Sequence, residues 1–364
     1  MKMPDKPRLI FWELTKQCNL ACKHCRAEAE NIDYGGELEL DQVKKIIDDI
    51  ADFSSPILVL TGGEPLYRHD VFDIARYAGE KKLRVALATN GTLIDTDCAA
   101  KIRDAGIARV SISIDGSTAA SHDDFRGIPG SFDGAVRGAR LLREQGVEFQ
   151  FNTTVTKRNV HEIEDILKFA VGEGAAALHI FMLVPVGCGV EIAETDMISS
   201  EKYEEVLNWF YDRSKDTKME LKATCAPHYY RVIRQRAREE GRTLSFEHDG
   251  MAAMTRGCLA GSGVCFISHR GDVQPCGYLP LVAGNVLADD FKKIWEESEL
   301  FLSLRDADRL EGKCGECGYR MVCGGCRARA HYATGRYLDE EPYCLYEPKG
   351  KEQCRNSAAA KQKS

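Results

Sequence analysis

The 364-residue chain has no apolar run approaching the roughly 20 residues that cross a bilayer. No membrane span is expected. Its opening, MKMPDKPR, lacks the apolar region that directs export, so the expected location is the cytoplasm. A basic excess is missing too: 49 Lys and Arg stand against 56 Asp and Glu, for a net charge of -7. That balance argues against broad nucleic-acid binding but leaves room for a local basic pocket. What is plentiful is cysteine, with fifteen in the chain. In a reducing compartment disulfides are disfavoured, and clustered thiols point to metal.

The length allows a barrel-sized domain plus a smaller one. Between Arg8 and about Val184, six strand-like runs (RLIFWELT, ILVLTGGE, RVALATNG, RVSISIDG, EFQFNTTV and ALHIFMLV) alternate with helical patterns such as Val43, Ile46, Ile47 and Ile50. Such a rhythm predicts parallel βα units, closing as an α/β barrel or part of one. The turns TGGEP, ATNGT and SIDGS fall at strand carboxyl ends, where parallel α/β architectures gather their chemistry. After Pro185 the pattern changes to a helical stretch from Ser199 to about Lys215, a short MELK run, and a basic helix from about Tyr230 to Glu240. Cysteine- and glycine-rich loops follow. The predicted organisation is a core over 1–198, a helical bridge over 199–249, a cysteine-rich domain over 250–347 and a disordered tail over 348–364.

In ELTKQCNLACKHC, Cys18, Cys22 and Cys25 follow the first strand at CxxxCxxC spacing. Three thiolates on a cubane leave one iron open, as a reactive site requires; a zinc knuckle borrowing a distant ligand is the alternative. The triad resembles the radical S-adenosylmethionine (SAM) signature. In that family the open iron binds the amino and carboxylate groups of SAM, and an injected electron breaks a C–S bond to give a 5′-deoxyadenosyl radical. The resemblance implies a partial (β/α)6 barrel with a 4Fe-4S cluster and SAM as cofactors. It also makes Gly62, Gly63 and Glu64 the family's GGE motif, which receives the methionyl ammonium. Asn90, Ser113, Asp115 and Asn152, at the ends of successive strands, would face a ribose or carboxylate, and Arg126 would pair with the methionyl carboxylate. Each alone would serve equally as a turn or surface residue.

Downstream, Cys258, Cys265 and Cys276 precede Cys314, Cys317, Cys323 and Cys326, spaced CxxCxxxxxCxxC, and then Cys344. Eight thiolates make two sets of four, with a zinc ribbon as the alternative. This segment resembles the SPASM extension, which carries auxiliary 4Fe-4S clusters. The resemblance implies one site from Cys258, Cys265, Cys276 and Cys326, and another from Cys314, Cys317, Cys323 and Cys344. The family's usual CxxxC is CxxC at Cys323 and Cys326, and the Cys258 to Cys276 spacing is short, so one or two auxiliary clusters are expected. Cys98, Cys188, Cys225 and Cys354 are left over. Cys98 has the look of a buried helix residue, while Cys188 and Cys225 are candidates for the active-site neighbourhood.

Enzymes with this extension act on peptides, proteins, sugars or tetrapyrroles. The first strand begins almost at once, without the leader-binding domain of peptide-maturing members, which lowers the peptide alternative. The segments LIFWELTKQCNLACKHCRAEA, ATCAPHYYRVIRQRAREEGR and TRGCLAG…HRGDVQPCGYL are similar to the haem b synthases of the sirohaem-dependent haem pathway. That similarity covers nearly the whole chain. It implies oxidative decarboxylation of two propionates of iron-coproporphyrin III to vinyl groups, giving protohaem. An enzyme of a related tetrapyrrole (haem d1 or didecarboxysirohaem), a peptide- or protein-modifying enzyme, and a non-catalytic iron-sulfur carrier are the alternatives. The implied partners are an iron-porphyrin substrate, a low-potential donor such as ferredoxin or flavodoxin, and an electron acceptor. For the substrate, His228, Tyr229 and Tyr230 could supply an iron ligand, a stacking face or a proton donor. Arg231, Arg234, Arg238 and Arg242 form a stripe that could meet propionates, or else a solvated helix face paired with Glu239 and Glu240. Loss of carbon dioxide leaves a vinyl group only if one electron also departs, and an auxiliary cluster is the expected acceptor or conduit.

Overall fold

The computed structural model describes residues 6–249, 253 and 255–348. The boundary expected near Gly250, the tail after Pro348 and Cys354 lie outside the described residues. The six expected strands form as β1 (Leu9–Glu13), β2 (Ile57–Thr61), β3 (Arg84–Thr89), β4 (Arg109–Ser113), β5 (Phe149–Val155) and β6 (Ala177–Met182), paired in parallel in chain order. Their connections carry α1 (Leu40–Phe53), α2 (Val71–Glu80), α3 (Thr96–Asp104), α4 (Ala119–Arg126), α5 (Ser131–Glu144) and α6 (Ile163–Gly172). In α1 the apolar positions Val43, Ile46, Ile47, Ile50 and Phe53 fall on one face and are buried, each stabilising by roughly 1.5–3 kcal/mol. Helix α3 starts where the Asp95 carboxylate accepts from the Cys98 N–H at 2.8 Å.

The sheet runs further than the six runs predict. The MELK segment contributes β7 (Glu220–Thr224), parallel to β6. It follows α7 (Ala193–Asp196) and α8 (Ser200–Asp216) and leads into α9 (Tyr229–Glu239). On the opposite side, β8 (Val264–Ile267) pairs in parallel with β1, Leu9 facing Val264 and Ile10 facing Cys265. Strands β9 (Asp272–Gln274) and β10 (Gly284–Asn285) then extend it antiparallel, giving the order β10-β9-β8-β1-β2-β3-β4-β5-β6-β7. The barrel is therefore open, and the cysteine-rich segment lends its sheet three strands. One apolar core joins Ile10, Trp12, Leu58 and Ile112 to Cys265, Val273, Trp295 and Phe301. A second core packs α8 and α9 against β5 and β6. Among the described residues, no helix is long and apolar enough to cross a membrane.

Candidate active site

The loop carrying Cys18, Cys22 and Cys25 is clamped from two sides by backbone. On one side the β1–β2 ladder continues past the strands: Leu14 N–H donates to Thr61 O at 2.8 Å, Gly63 N–H to Thr15 O at 2.8 Å and Glu64 N–H to Gln17 O at 2.8 Å. A Cβ at Gly62 would lie 2.5 Å from Thr15 O, and one at Gly63 2.4 Å from the carbonyls of Lys16 and Gln17. The two glycines thus let the strand end lie directly on the cysteine loop. On the other side, Ala21 and Lys23 donate to the carbonyls of Arg126 and Phe125 at the end of α4. That helix stops at Gly127, whose φ is 76° and where an added Cβ would lie 2.3 Å from Ala21 O, leaving no room for a side chain.

The three cysteines pack together in one small cluster with Leu20, Ala27 and Ala29. Burial pushes the Cys18 thiol up to about 12, with Glu64, Cys22 and Cys25 adding to the rise, and burial likewise raises Cys22. Thiolates held there need a cation, and iron displacing the protons would supply it. Leu20 N–H points at Cys18 Sγ at 3.5 Å and Ala29 N–H at Cys25 Sγ at 3.4 Å, donors suited to thiolate ligands. A cubane therefore fits the donor set.

Two groups of charge flank these thiols. Glu64 is fully buried; its carboxylate accepts from Leu66 N–H, the Thr89 hydroxyl at 2.7 Å and Asn90 N–H at 2.8 Å. Burial outweighs these bonds and pushes its pKa up to about 7, with no cationic side chain pairing it among the described residues. An ammonium group would complete that site. Asn90 reaches both Cys18 Sγ, at 3.9 Å, and Asn19 Oδ1, at 2.8 Å. Beside Cys22, Arg126 lies 2.6 Å from Asp115 and 3.6 Å from Cys22 Sγ, leaving its Nε without a hydrogen-bond partner. Burial raises and Arg126 lowers the Asp115 pKa, and the balance is downward. Ser113 and Asn152 face each other in the β4–β5 register, with Asn152 Oδ1 accepting from Gln150. Sequence reasoning missed His24: its ring stacks on Phe125 at 4.1 Å, its Nε2 is 3.3 Å from Asp115, and burial lowers its pKa to about 4. Nothing in CKHC distinguishes such a histidine from a surface one.

The downstream cysteines assemble as two groups, with one exchange. Cys314, Cys317, Cys323 and Cys344 line a single cavity. Backbone N–H groups of Glu341, Tyr319 and Gly325 point at the sulfurs of Cys314, Cys317 and Cys323, at 3.3–3.5 Å. In the other group, Cys225 and Cys276 pack against Cys326, and Cys258, Cys276 and Cys326 all push the Cys225 thiol up after burial itself. Cys265 is absent from this group. It sits on β8 opposite Ile10 with its side chain in the barrel core, and apart from burial only Arg305 acts on its thiol. Among the other leftovers, Cys188 N–H bonds the Cys25 carbonyl at 2.9 Å, and Cys98 is half-buried on α3.

The side chains of the α9 segment are largely engaged by the protein itself. Tyr229 and Tyr230 are buried in the second core, and Arg231 is bidentate to Glu204 on α8. Arg234 donates to the Tyr230 carbonyl, Arg236 pairs with Asp212, Arg238 reaches the Tyr319 hydroxyl, and Arg242 pairs with Glu240 and Asp249. The stripe serves largely to seal α9 onto its surroundings. His228 and Arg231 line the four-cysteine cavity; His228 is wholly buried, and burial lowers its pKa to about 4.

Residues 12–170 match the radical SAM superfamily, and residues 258–318 match SPASM, an iron-sulfur cluster-binding domain. An AdoMet-dependent heme synthase of Methanosarcina barkeri is 52% identical over 95% of this chain and 98% of its own length. The Fe-coproporphyrin III synthase of the same organism is 31% identical over 93% of this chain and 88% of its own. The crystal structure of Streptococcus suis SuiB bound to S-adenosylmethionine aligns with 94% of this chain and 78% of its own, at a TM-score of 0.73 and 17% identity, and shares the fold.

Proposed function

We propose, from the premise that this chain belongs to the radical SAM enzymes with a SPASM domain, the family of the AdoMet-dependent heme synthases, that it makes protohaem from iron-coproporphyrin III. The observation that carries this is the end-to-end likeness to an AdoMet-dependent heme synthase, well above the likeness to the Fe-coproporphyrin III synthase of the same organism. In this reading Cys18, Cys22 and Cys25 hold the SAM-binding cluster. Gly62, Gly63 and Glu64 receive the methionyl ammonium, Arg126 with Asp115 meets the carboxylate, and Asn90, Ser113 and Asn152 line the remainder of the SAM site. Cys314, Cys317, Cys323 and Cys344 hold one auxiliary cluster; Cys258, Cys276, Cys326 and Cys225 hold the other. When bound, the cluster and SAM supply the radical that takes a hydrogen atom from a propionate β-carbon; carbon dioxide and one electron then leave, and a vinyl group remains.

The chain's own part is positioning and exclusion. Arg126 and Asp115 are buried as a pair beside Cys22, so a carboxylate entering there meets a fixed guanidinium shielded from water. A cluster held by the Cys276 group would offer the departing electron a route, and a cluster on Cys18, Cys22 and Cys25 would take its electron from a low-potential donor such as ferredoxin or flavodoxin. All described cysteines are free, which suits a reducing compartment such as the cytoplasm.

The test is an anaerobic assay of reconstituted, reduced protein with SAM and iron-coproporphyrin III. The expected products are protohaem, carbon dioxide and 5′-deoxyadenosine, two equivalents of the last per haem, with Cys18→Ala making none. Parent protein that forms 5′-deoxyadenosine but leaves iron-coproporphyrin III intact would discard the haem reading and keep the radical SAM chemistry.

A further inference from the structure

A cavity of about 360 Å³ opens at the carboxyl ends of β1 and β8 and reaches the cysteine loop at Arg26 and Ala27. Its wall includes Lys16, Arg26, Tyr34, Phe266, Arg270 and Gly277. Arg26 directly follows Cys25, and Gly277 directly follows Cys276. A Cβ at Gly277 would be 3.4 Å from Arg26 Nε, so the loops carrying the two thiol groups meet in the cavity wall.

The cavity's charges are unequal. Arg26 is 2.9 Å from Glu13 and 4.4 Å from the Phe266 ring centre. His269 Nδ1 is 2.8 Å from the same Glu13, so that carboxylate is already committed. Asp272 is held by Asn285 Nδ2 at 2.9 Å. Lys16 lies over the Tyr34 ring at 4.8 Å, and Arg270 Nη2 donates only to the Tyr34 carbonyl at 3.4 Å. Among the described residues neither Lys16 nor Arg270 has a carboxylate partner. Two cations without a carboxylate partner, in a cavity of small-molecule size with Tyr34 and Phe266 in its wall, are suited to a polycarboxylate.

We propose that this cavity takes one edge of the substrate, with Lys16 and Arg270 each holding a propionate. The proposal rests on the haem reading above. It places the substrate between Cys25 and Cys276, where hydrogen removal at one side and electron departure at the other reach the same molecule. It also replaces the α9 segment as the carboxylate anchor.

The experiment titrates reconstituted full-length protein with iron-coproporphyrin III and with its tetramethyl ester, following the porphyrin absorbance. Lys16→Gln with Arg270→Gln should weaken the tetra-acid by about 100-fold, roughly tenfold for each lost charged contact, and the ester hardly at all. Lys16→Arg, which keeps the charge, should stay within a few-fold of the parent. Equal loss for acid and ester would mean structural damage and overturn the proposal, as would a double variant that binds the acid like the parent. Parent protein that binds no iron-coproporphyrin III removes the haem reading and this proposal together; a parent that binds it while the double variant does so equally well removes only this one.

Discussion

Arg329 is fully buried and joins four segments through its guanidinium. It pairs with Glu341 at 3.0 Å and donates to the Tyr203 hydroxyl at 2.9 Å, the Cys225 carbonyl at 2.8 Å and the Leu183 carbonyl at 3.4 Å. Glu341 in turn accepts from Cys326 N–H at 2.7 Å. This network fixes Cys225, at the end of β7, beside Cys326, although the residues lie far apart in the chain. Local spacing cannot reveal such a partner, and for that reason Cys265, at a plausible distance from Cys258, looks like the ligand while β8 turns it into the core. The two assignments separate by composition. In a chain already lacking Cys18, Cys22 and Cys25, Cys225→Ala should remove about four iron and four sulfide, one cubane's worth. Cys265→Ala should leave iron unchanged and lower stability by about 1–2 kcal/mol through its cavity. Iron and sulfide analysis with electron paramagnetic resonance decides it; cluster loss in Cys265→Ala alone would restore Cys265 as the ligand.

At the scale of elements, the site is a clamp. The end of β2 and the end of α4 hold the cysteine loop by backbone bonds, so its shape depends on how closely those ends approach. Gly63 sets one approach, and an alanine there would meet two carbonyl oxygens at 2.4 Å. Backbone on both sides cannot yield cheaply, and overpacking of this kind costs about 1–3 kcal/mol, here spent on displacing the loop. Gly63→Ala should therefore weaken SAM binding by about tenfold or more, measured by equilibrium binding to reconstituted protein. Gly79→Ala, on α2 with nothing within 4 Å, should bind SAM normally and gain up to about 1 kcal/mol of helix stability. Parent-like SAM binding in Gly63→Ala would mean the loop does not depend on this contact. The clamp was legible because TGGEP and CxxxCxxC are local patterns on strongly periodic strands. β7 and β8 were not: MELK offers only Met219 and Leu221 on its apolar face, too short a pattern to mark a strand, and VCFI is four residues between glycine-rich loops. Each becomes a strand only through a partner elsewhere in the chain.

For the whole molecule, the decisive feature is that β1 is an interior strand. It pairs with β2 on one side and with β8 on the other, Leu9 to Trp12 facing Val264 to Ile267. The segment after residue 250 also buries Phe291, Ile294, Trp295 and Phe301 in the same core as α1 and β1. A boundary near Gly250, as composition suggests, would thus cut a sheet and a core. Removing the segment would leave the outer edge of β1 without hydrogen-bond partners next to uncovered apolar side chains, the condition under which sheets associate edge to edge. It would also strip the cavity wall at Phe266 and Arg270 from the loop that carries Cys18, Cys22 and Cys25. A chain ending at residue 249 should therefore aggregate on size-exclusion chromatography and fail to retain a cluster on anaerobic reconstitution. The full chain with all eight auxiliary-site cysteines (Cys225, Cys258, Cys276, Cys314, Cys317, Cys323, Cys326 and Cys344) changed to serine keeps β8 and the shared core. It should hold the first cluster better than the truncated chain, because the sheet contributes independently of the metal. If the fragment ending at 249 is monomeric, takes up about four iron and cleaves SAM, β1 is stable as an edge and the two regions fold separately.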